Sequence, residues 1–214
     1  MIAEVVEMTT QDARTSGQYD VVVVGGGAAG LSGALALARS KRSVLVVDAG
    51  QPRNASSPHA HNYLSRDGVA PGELLALGRA EVLGYGAEVR TGRARSAART
   101  DDGGFTVELE DGTAVGARRL LVATGLTDEL PDVAGVRERW GRDVLHCPYC
   151  HGYEVRDQEV GILATSAFAL HGARLWRQLT DRVTLLHHTA PELTADEREE
   201  LDARGVTVVE GVVE

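Results

Sequence analysis

The stretch YDVVVVGGGAAG at residues 19–30 decides the fold of this 214-residue chain. Its four consecutive valines show no polar alternation, which predicts a parallel strand buried on both faces. A glycine-rich turn follows, and residues 30–40 predict a helix with Leu31, Leu35 and Ala38 on one face. Residues 43–48 form a second apolar run that ends in an aspartate. The order strand, turn, helix, strand predicts a βαβ unit.

The turn in this unit has the spacing Gly-x-Gly-x-x-Gly, at Gly25, Gly27 and Gly30. The first glycine permits a tight turn, the second lets a pyrophosphate approach the backbone, and the third lets the helix pack on the strand. Asp48 ends the second strand, where a carboxylate can accept hydrogen bonds from a ribose. A glycine-rich turn beside a solvated aspartate is the alternative. The pattern favours a dinucleotide site and does not choose between FAD and NAD.

The same kind of pattern recurs along the chain. A helix at 72–83, alternating strands between residues 86 and 117 and a buried strand at 119–124 extend the first unit. A second unit follows, with strands at 158–164, 182–187 and 206–209 and helices at 167–179 and 194–203. We therefore predict an α/β chain of two Rossmann-like, doubly wound, three-layer domains, the first of which contains a β-meander.

The predicted domains are a nucleotide-binding domain at 19–126 and a second Rossmann-like domain at 127–214 that carries a cysteine pair. Residues 1–18 are expected to be a flexible tail, because they contain acidic residues and no pattern of a strand or helix. They also lack the basic and apolar regions of a secretory signal. The long loop at residues 50–71 is expected to be functional, because unstructured loops of this length are uncommon in compact domains.

Composition excludes several classes of function. The net charge of −9 argues against a surface for nucleic acid or anionic lipid, which would be basic. No apolar run approaches the roughly 20 residues that span a bilayer. Two cysteines cannot form a disulfide scaffold. We expect a soluble cytoplasmic protein that binds neither nucleic acid nor membrane.

The cysteines stand close together in the sequence HCPYCH, residues 146–151. A Cys-x-x-Cys spacing at Cys147 and Cys150 allows a small redox-active disulfide. Three alternatives remain: a zinc site with the flanking histidines, a c-type haem attachment site, and an inert buried pair. A structural zinc site needs four convergent ligands, and haem attachment needs export. The redox pair is therefore favoured, and no metal ligand is predicted.

Several motifs together resemble the thioredoxin reductase-like flavoproteins. Residues 19–30 look like the FAD-binding start of the flavoproteins with two dinucleotide-binding domains. HNYL at 61–64 resembles the flavin-side loop of thioredoxin reductases, and ATG at 123–125 is similar to the second FAD motif. With the cysteine pair, the resemblance covers residues 19–214. It implies that FAD contacts Gly25, Gly27, Ala28, Ala29, Gly30, Asp48, Asn62, Ala123, Thr124 and Gly125.

The resemblance also implies roles for the cysteines. In that family the second cysteine lies against the flavin and the first meets the substrate, which makes Cys150 the relay and Cys147 the exchanging sulfur. Thioredoxin reductases usually have an aspartate after the second cysteine, whereas this chain has His151. With that departure, CPYCHGYE at 147–154 resembles the dithiol oxidases that close the disulfides of gliotoxin- and holomycin-type metabolites.

His151 is therefore a candidate catalytic base. A histidine titrates near neutrality and can take a proton from a thiol. Glu154 is expected to orient the ring if the segment is helical. The alternative is a histidine that only caps the helix or packs near its start.

The second Rossmann-like unit departs from the family at its nicotinamide site. Aligned by strand, the two turn glycines of the family fall on Ala164 and Ser166. A Cβ atom at the second glycine obstructs a pyrophosphate. LLHHT at 185–189 lacks the arginines that usually hold a 2′-phosphate. NADPH binding is therefore doubtful.

The sequence thus predicts an FAD-dependent thiol-disulfide oxidoreductase, acting as an oxidase on a small-molecule dithiol with O2 as acceptor. An NADPH-dependent thioredoxin reductase-like disulfide reductase is the first alternative. An inactive fragment, or a binding module on a Rossmann shell, is the second. The resemblance also implies a homodimer. Family members continue beyond the strand near residues 206–209, so the second domain is expected to be incomplete at its C-terminus.

Overall fold

The computed structural model describes residues 15–214, which fall into two compact units. The first, unit 1, contains residues 15–55 and Ala70–Thr127. The second, unit 2, contains Ser56–Val69 and Asp128–Glu214. Each unit has a parallel-dominated sheet and its own core. The predicted α/β class is confirmed.

Unit 1 is built on a six-stranded sheet in the order β3-β2-β1-β6-β5-β4. The first four strands in this order run parallel, and β5 and β4 add an antiparallel meander. The elements are β1 (Thr15–Val24), α1 (Ala28–Arg39), β2 (Val44–Asp48), α2 (Pro71–Gly84), β3 (Glu88–Thr91), β4 (Ala94–Arg99), β5 (Phe105–Leu109) and β6 (Ala114–Val122).

Side chains of β1 and β2 alternate between two cores, which explains why residues 21–24 and 44–47 are all apolar. Val21 and Val23 pack with the leucines and alanines of α1 on one face of the sheet. Val22 and Leu45 pack on the other face with Val107 of the meander. Both faces are therefore apolar, as expected for a strand in the middle of a sheet.

Strand β1 starts earlier than the sequence pattern predicts. The expected tail at residues 1–18 lies outside the described residues as far as residue 14, but residues 15–18 belong to the strand. Thr15 pairs with Ala114 and Gln18 pairs with Gly116. The long β6 provides this pairing, because it runs without interruption through the region where the sequence pattern indicates a separate strand at 119–124.

Unit 2 has a parallel sheet in the order β7-β8-β9. Leu185, Leu201 and Trp176 are buried in its core. Helix α6 begins with a capping box, in which Thr194 and Glu197 satisfy each other's backbone N–H groups. The elements are α3 (Val136–Arg139), α4 (Pro148–His151), β7 (Val160–Leu163), α5 (Ala169–Trp176), β8 (Val183–His187), α6 (Ala195–Ala203) and β9 (Thr207–Glu210).

One loop of the predicted first domain groups with unit 2. Residues Ser56–Val69 lie within the predicted first domain, yet they group with unit 2. Their side chains explain the difference, because Ser57 hydrogen-bonds His151 and Asn62 donates to the carbonyl of Tyr149. No helix within residues 15–214 is long and apolar enough to cross a membrane.

Replacing Leu45 by alanine tests the core of unit 1. Leu45 is 0% exposed, so Leu45→Ala leaves a cavity and should lower the free energy of unfolding by about 2–5 kcal/mol. Leu83→Ala is the matched control, because Leu83 is 52% exposed and should change stability by about 0.5 kcal/mol at most. Urea unfolding followed by far-UV circular dichroism measures both. Equal effects of the two variants would contradict this assignment of the core.

Candidate functional site

The glycine-rich turn of unit 1 depends on two very close backbone contacts. Gly25 has φ of +108°, and a Cβ atom there would lie 2.2 Å from the carbonyl oxygen of Ala123. A Cβ atom on Gly30 would lie 1.9 Å from the carbonyl oxygen of Gly25. Both positions therefore need glycine for the turn to close between strand and helix.

Gly27 differs, because its hydrogen faces open space. It precedes α1 with an ordinary φ of −74°, and no atom lies within 4 Å of the Cβ position. The first N–H groups of α1, which include those of Ala28 and Ala29, have no partner within the helix. A helix N-terminus with such N–H groups attracts phosphate. The turn thus forms a cradle that a side chain on Gly27 would fill, and it fits the pyrophosphate of a dinucleotide.

Asp48 lies at the end of β2 beside this turn, and its carboxylate is held in place. Its Oδ2 atom pairs with Nη2 of Arg79 on α2. A Cβ atom on Gly26 would lie 2.7 Å from the carboxyl carbon of Asp48. The Nε atom of Arg79 is buried and has no hydrogen-bond partner among the described residues. Arg79 is absent from the predicted site, because a lone arginine in a helix carries no signal in the sequence.

The remaining predicted cofactor residues divide between the units. Ala123 follows β6, and its N–H donates to the carbonyl of Val24 at 2.8 Å. Thr124 is exposed next to it, and Gly125 has φ of +67°. These three residues lie with the turn in unit 1. Asn62 lies in unit 2, on the loop Ser56–Val69.

The cysteine pair lies at the single helical turn α4 in unit 2. Cys147 is the residue before the helix, and Pro148 takes the first helical position, where a missing N–H costs nothing. The N–H groups of Cys150 and His151 both point to the carbonyl of Cys147, at 3.2 Å. Cys147 is half-buried and Cys150 is exposed. Within residues 15–214, no group of three or more His, Cys, Asp or Glu is arranged to hold a metal ion.

His151 ends this turn and contacts the loop Ser56–Val69. Its Nε2 atom lies 2.8 Å from Oγ of Ser57, which is only 7% exposed. The hydroxyl of Ser57 also donates to the carbonyl of His59 at 2.8 Å. Burial lowers the pKa of His151 below its usual value of 6.5, although the carboxylate of Glu154 acts in the opposite direction. The ring is therefore neutral at physiological pH, the state in which it can accept a proton.

Glu154 does not hold His151 as the sequence suggests. Helix α4 ends at His151, so the helical spacing that this expectation needs is absent. Oε1 of Glu154 lies 3.6 Å from Nε2 of His61 instead. The other ring nitrogen of His61 lies 3.4 Å from Oδ2 of Asp67. Ser57, His61 and Asp67 are thus site residues that sequence reasoning missed, although the length of the loop and its HNYL motif had drawn attention to the segment.

The corresponding turn in unit 2, after β7, lacks both glycines. Ala164 is 1% exposed and packs in the core of the unit. Its N–H donates to the carbonyl of Leu186 at 3.0 Å, and its carbonyl accepts from Thr189 and Ala190 at 3.1 Å. Ser166, at the second glycine position, is exposed. A cavity of about 580 Å³ lies beside this turn, and Ser166 is among the residues that line it.

The side chain at the end of β8 is also held by hydrogen bonds within unit 2. His187 is buried, with Nε2 at 2.8 Å from the carbonyl of Pro191 and Nδ1 at 2.8 Å from Glu210. Both partners only accept hydrogen bonds, so together they favour the doubly protonated ring. The hydrogen bond to Pro191, followed by that to Glu210, raises the pKa of His187 above 6.5. Arg198 pairs with the same glutamate at 2.7 Å.

Comparisons with known proteins agree on one family. The family model described as pyridine nucleotide-disulphide oxidoreductase matches residues 19–213. Thioredoxin reductase tcpT of Claviceps purpurea (strain 20.1) is 38% identical over 179 residues, which are 80% of this chain and 56% of the relative. Thioredoxin reductase sirT of Leptosphaeria maculans is 33% identical over 204 residues, which are 89% of this chain and 62% of the relative.

Solved structures match over nearly the whole chain. The crystal structure of HlmI has 56% sequence identity and a TM-score of 0.87, and the match covers 92% of this chain and 63% of that one. The oxidoreductase from Agrobacterium tumefaciens has 42% identity and a TM-score of 0.83, with 91% and 65% covered. This chain therefore spans less than two thirds of the length of these proteins.

Two histidines of unit 2 should titrate on opposite sides of pH 6.5. Burial lowers the pKa of His151, and hydrogen bonds to acceptors raise the pKa of His187. The ring Cε1–H resonances, followed by NMR from pH 4.5 to about 9, measure both values. His151→Gln and His187→Gln assign the signals. Two midpoints at about 6.5 would contradict the prediction.

The same two pKa shifts make the free energy of unfolding depend on pH in opposite directions. Since folding makes His151 harder to protonate, its contribution is complete above the unfolded pKa of about 6.5 and is lost as pH falls toward the folded pKa. The contribution of His187 is complete below about 6.5 and is lost as pH rises through its folded pKa. We expect His187→Gln to remove that loss on the alkaline side, as measured by urea unfolding across this pH range.

Proposed function

The chain belongs to the pyridine nucleotide-disulphide oxidoreductase family, and from this premise we propose that it oxidises a small-molecule dithiol to a disulfide. Its thioredoxin reductase-like relatives confirm the resemblance that the motifs indicate, and they are flavin-dependent oxidoreductases. The observation that carries the proposal is the position of His151. A neutral histidine, hydrogen-bonded to a buried serine, directly follows the Cys-x-x-Cys turn.

FAD is the cofactor that this proposal requires, and the cradle in unit 1 fits it. Gly27, Ala28 and Ala29 would hold the pyrophosphate at the start of α1, and Asp48 would hold a ribose. Gly25 and Gly30 would shape the turn, and Ala123, Thr124 and Gly125 would complete the cradle within unit 1. Asn62 in unit 2 stays a predicted FAD contact that rests on the resemblance. When bound, FAD supplies the two-electron acceptor for the reduced cysteine pair, and O2 is the proposed final acceptor, giving peroxide.

The first step of the proposed reaction is attack by the substrate. His151 takes the proton of one substrate thiol, because a thiolate is the effective nucleophile. The thiolate attacks Sγ of Cys147 in the oxidised pair. A bond forms between the substrate and Cys147, the bond between the two cysteines breaks, and Cys150 leaves as a thiolate.

The second step releases the product. The second substrate thiol loses its proton and attacks the substrate sulfur that is bonded to Cys147. The product disulfide forms, the mixed disulfide breaks, and Cys147 leaves as a thiolate. The substrate has lost two protons and two electrons, and the cysteine pair has gained the two electrons. The protons pass to His151, to the cysteine sulfurs and to solvent.

The missing turn glycines in unit 2 support oxidation rather than reduction by NADPH. A reductase must obtain its electrons from the nicotinamide cofactor, which binds at such a turn in this fold. Ala164 and Ser166 stand at the two glycine positions, and a Cβ atom at the second one obstructs a pyrophosphate. His187, at the end of the neighbouring strand, already has acceptors on both ring nitrogens. An oxidase needs no nicotinamide site.

A disulfide reductase is the second candidate function. Two observations favour it: the curated relatives are named thioredoxin reductases, and a cavity of about 580 Å³ lies beside the second turn. An anaerobic experiment separates the candidates. FAD-loaded protein is mixed with NADPH or with dithiothreitol, and the visible flavin absorbance is followed. Bleaching by dithiothreitol alone supports the oxidase, and rapid bleaching by NADPH alone overturns it.

Other predictions from the sequence have no bearing on this choice. The cytoplasmic location, the homodimer and the limits of the two domains stay predictions. The inactive fragment or binding module also stays an alternative. Retained folding of the full chain without any flavin after reconstitution would favour it.

Substitution of Gly27 tests the cradle. Gly27→Val places a side chain in open space at an ordinary φ, so it should leave the fold intact and lower FAD affinity at least tenfold. Gly72→Val is the matched control, because no atom lies within 4 Å of its Cβ position either. Visible absorbance after reconstitution with FAD measures occupancy, and circular dichroism checks folding. Equal flavin content in both variants would exclude this cradle.

Substitutions of the cysteines test their separate roles. Cys150→Ser should abolish dithiol-dependent flavin reduction, because it removes the relay sulfur. Cys147→Ser should mainly block exchange with the substrate, so that no mixed disulfide forms with dithiothreitol. Peroxide assays and mass spectrometry after alkylation measure these effects. Dithiol-dependent peroxide formation by Cys150→Ser at the wild-type rate would contradict the proposal.

A further inference from the structure

We propose that Ser57 is a positioning residue that fixes the tautomer of His151, with the proton on Nε2 and the base at Nδ1. The assignment comes from the contacts of two side chains in unit 2. The inference rests on the proposed function at one point only: the proton that Nδ1 accepts is the proton of a substrate thiol. The tautomer itself is a property of the folded chain.

The hydroxyl of Ser57 has one proton and two close neighbours. The carbonyl oxygen of His59 lies 2.8 Å away, and Nε2 of His151 also lies 2.8 Å away. A carbonyl oxygen only accepts hydrogen bonds, and two oxygens at this distance need a proton between them. The hydroxyl proton therefore points to His59.

The serine oxygen can then only accept from His151. Nε2 must carry a proton, because an unprotonated nitrogen would place a lone pair against the lone pairs of Oγ. A neutral imidazole has one N–H group, so Nδ1 is left unprotonated. Ser57 is buried, which hinders water from taking its place. Since burial also favours the neutral ring, Nδ1 is available as a base at physiological pH.

The loop holds the acceptor carbonyl of His59 in place. Ala60 donates to the carbonyl of Val69 at 2.8 Å, and Gly68 donates to the carbonyl of Ala60 at 2.9 Å. The ring of His59 itself contacts the carbonyl of Gly68 at 3.1 Å. These bonds hold the ring of His59 and the backbone of Ala60 against Gly68 and Val69, so the carbonyl of His59 stays directed at Ser57.

The charged groups around His151 do not offer Nε2 another partner. Glu154 and His61 both influence the charge state of His151. Their side chains pair with each other, with Oε1 of Glu154 at 3.6 Å from Nε2 of His61. The thiols of Cys147 and Cys150 and the phenol of Tyr149 are the other titratable groups of the helical turn and the residue before it. Only Ser57 contacts Nε2 among the hydrogen bonds of the described residues, so the tautomer depends on this serine.

Nitrogen NMR of the full chain labelled with 15N-histidine tests the assignment directly. The wild-type protein should show His151 protonated at Nε2 at neutral pH, with His151→Gln as the assignment control. Ser57→Ala removes the acceptor, so the two tautomers should become mixed and the pKa of His151 should fall further. Ser57→Thr keeps a hydroxyl and should restore the wild-type tautomer. Ser56→Ala, at the exposed neighbouring serine, should change neither property.

Kinetics of the FAD-loaded protein provide the second measurement. With dithiothreitol as substrate, Ser57→Ala should lower kcat about tenfold or more, leave KM within about twofold and shift the acidic limb of the pH profile. Ser57→Thr should recover most of the rate. A serine that only stabilises the loop would lower stability without moving the pH profile.

The outcomes separate this proposal from the proposed function. A wild-type His151 protonated at Nδ1, or a tautomer unchanged in Ser57→Ala, overturns the role of Ser57. The wild-type spectrum decides the matter even if Ser57→Ala does not fold. The NMR measurement needs neither flavin nor substrate. Absence of dithiol oxidation with the Nε2–H tautomer present would therefore overturn the proposed function and leave this assignment standing.

Discussion

The hydrogen bond between Ser57 and His151 joins residues that are 94 positions apart in the chain, and it attaches a loop of unit 2 to the cysteine turn. It brings the loop Ser56–Val69 to the turn that carries the two cysteines, and Asn62 reinforces the attachment through the carbonyl of Tyr149. The buried serine also sets the environment of the histidine. Structure and chemistry are therefore linked at one contact, because the group that anchors the loop also controls the proposed base.

The two βαβ turns of the chain differ at the two positions that shape a phosphate site. Both turns follow the first strand of a parallel sheet and precede a helix. The first turn has glycine at both positions, and the Cβ position of Gly27 faces open space. The second turn has Ala164, whose methyl group packs in the core, and Ser166, which is exposed. A side chain therefore stands at Ser166 where the first turn leaves room for a pyrophosphate.

The fold class and much of the candidate site follow from local patterns. Apolar runs, turn glycines and the Cys-x-x-Cys spacing are read over a few residues, so they place Gly27 in its turn and Cys147 and Cys150 at one helical turn. The loss of both turn glycines in the second unit, at Ala164 and Ser166, is also read directly from the sequence. The start of β1 at Thr15 was missed, because that end of the strand is defined by its partner β6.

The sequence by itself determined the order of strands and helices, the glycine cradle and the cysteine pair, since each depends on periodicity or fixed spacing. The tertiary structure alone decided which side chains complete the sites. Glu154 stands three residues from His151, yet Ser57 holds that histidine. Arg79, 31 residues from Asp48, holds that carboxylate. Such partners are brought together by chain folding, and no local pattern of polarity or spacing specifies which distant hydroxyl or guanidinium will arrive.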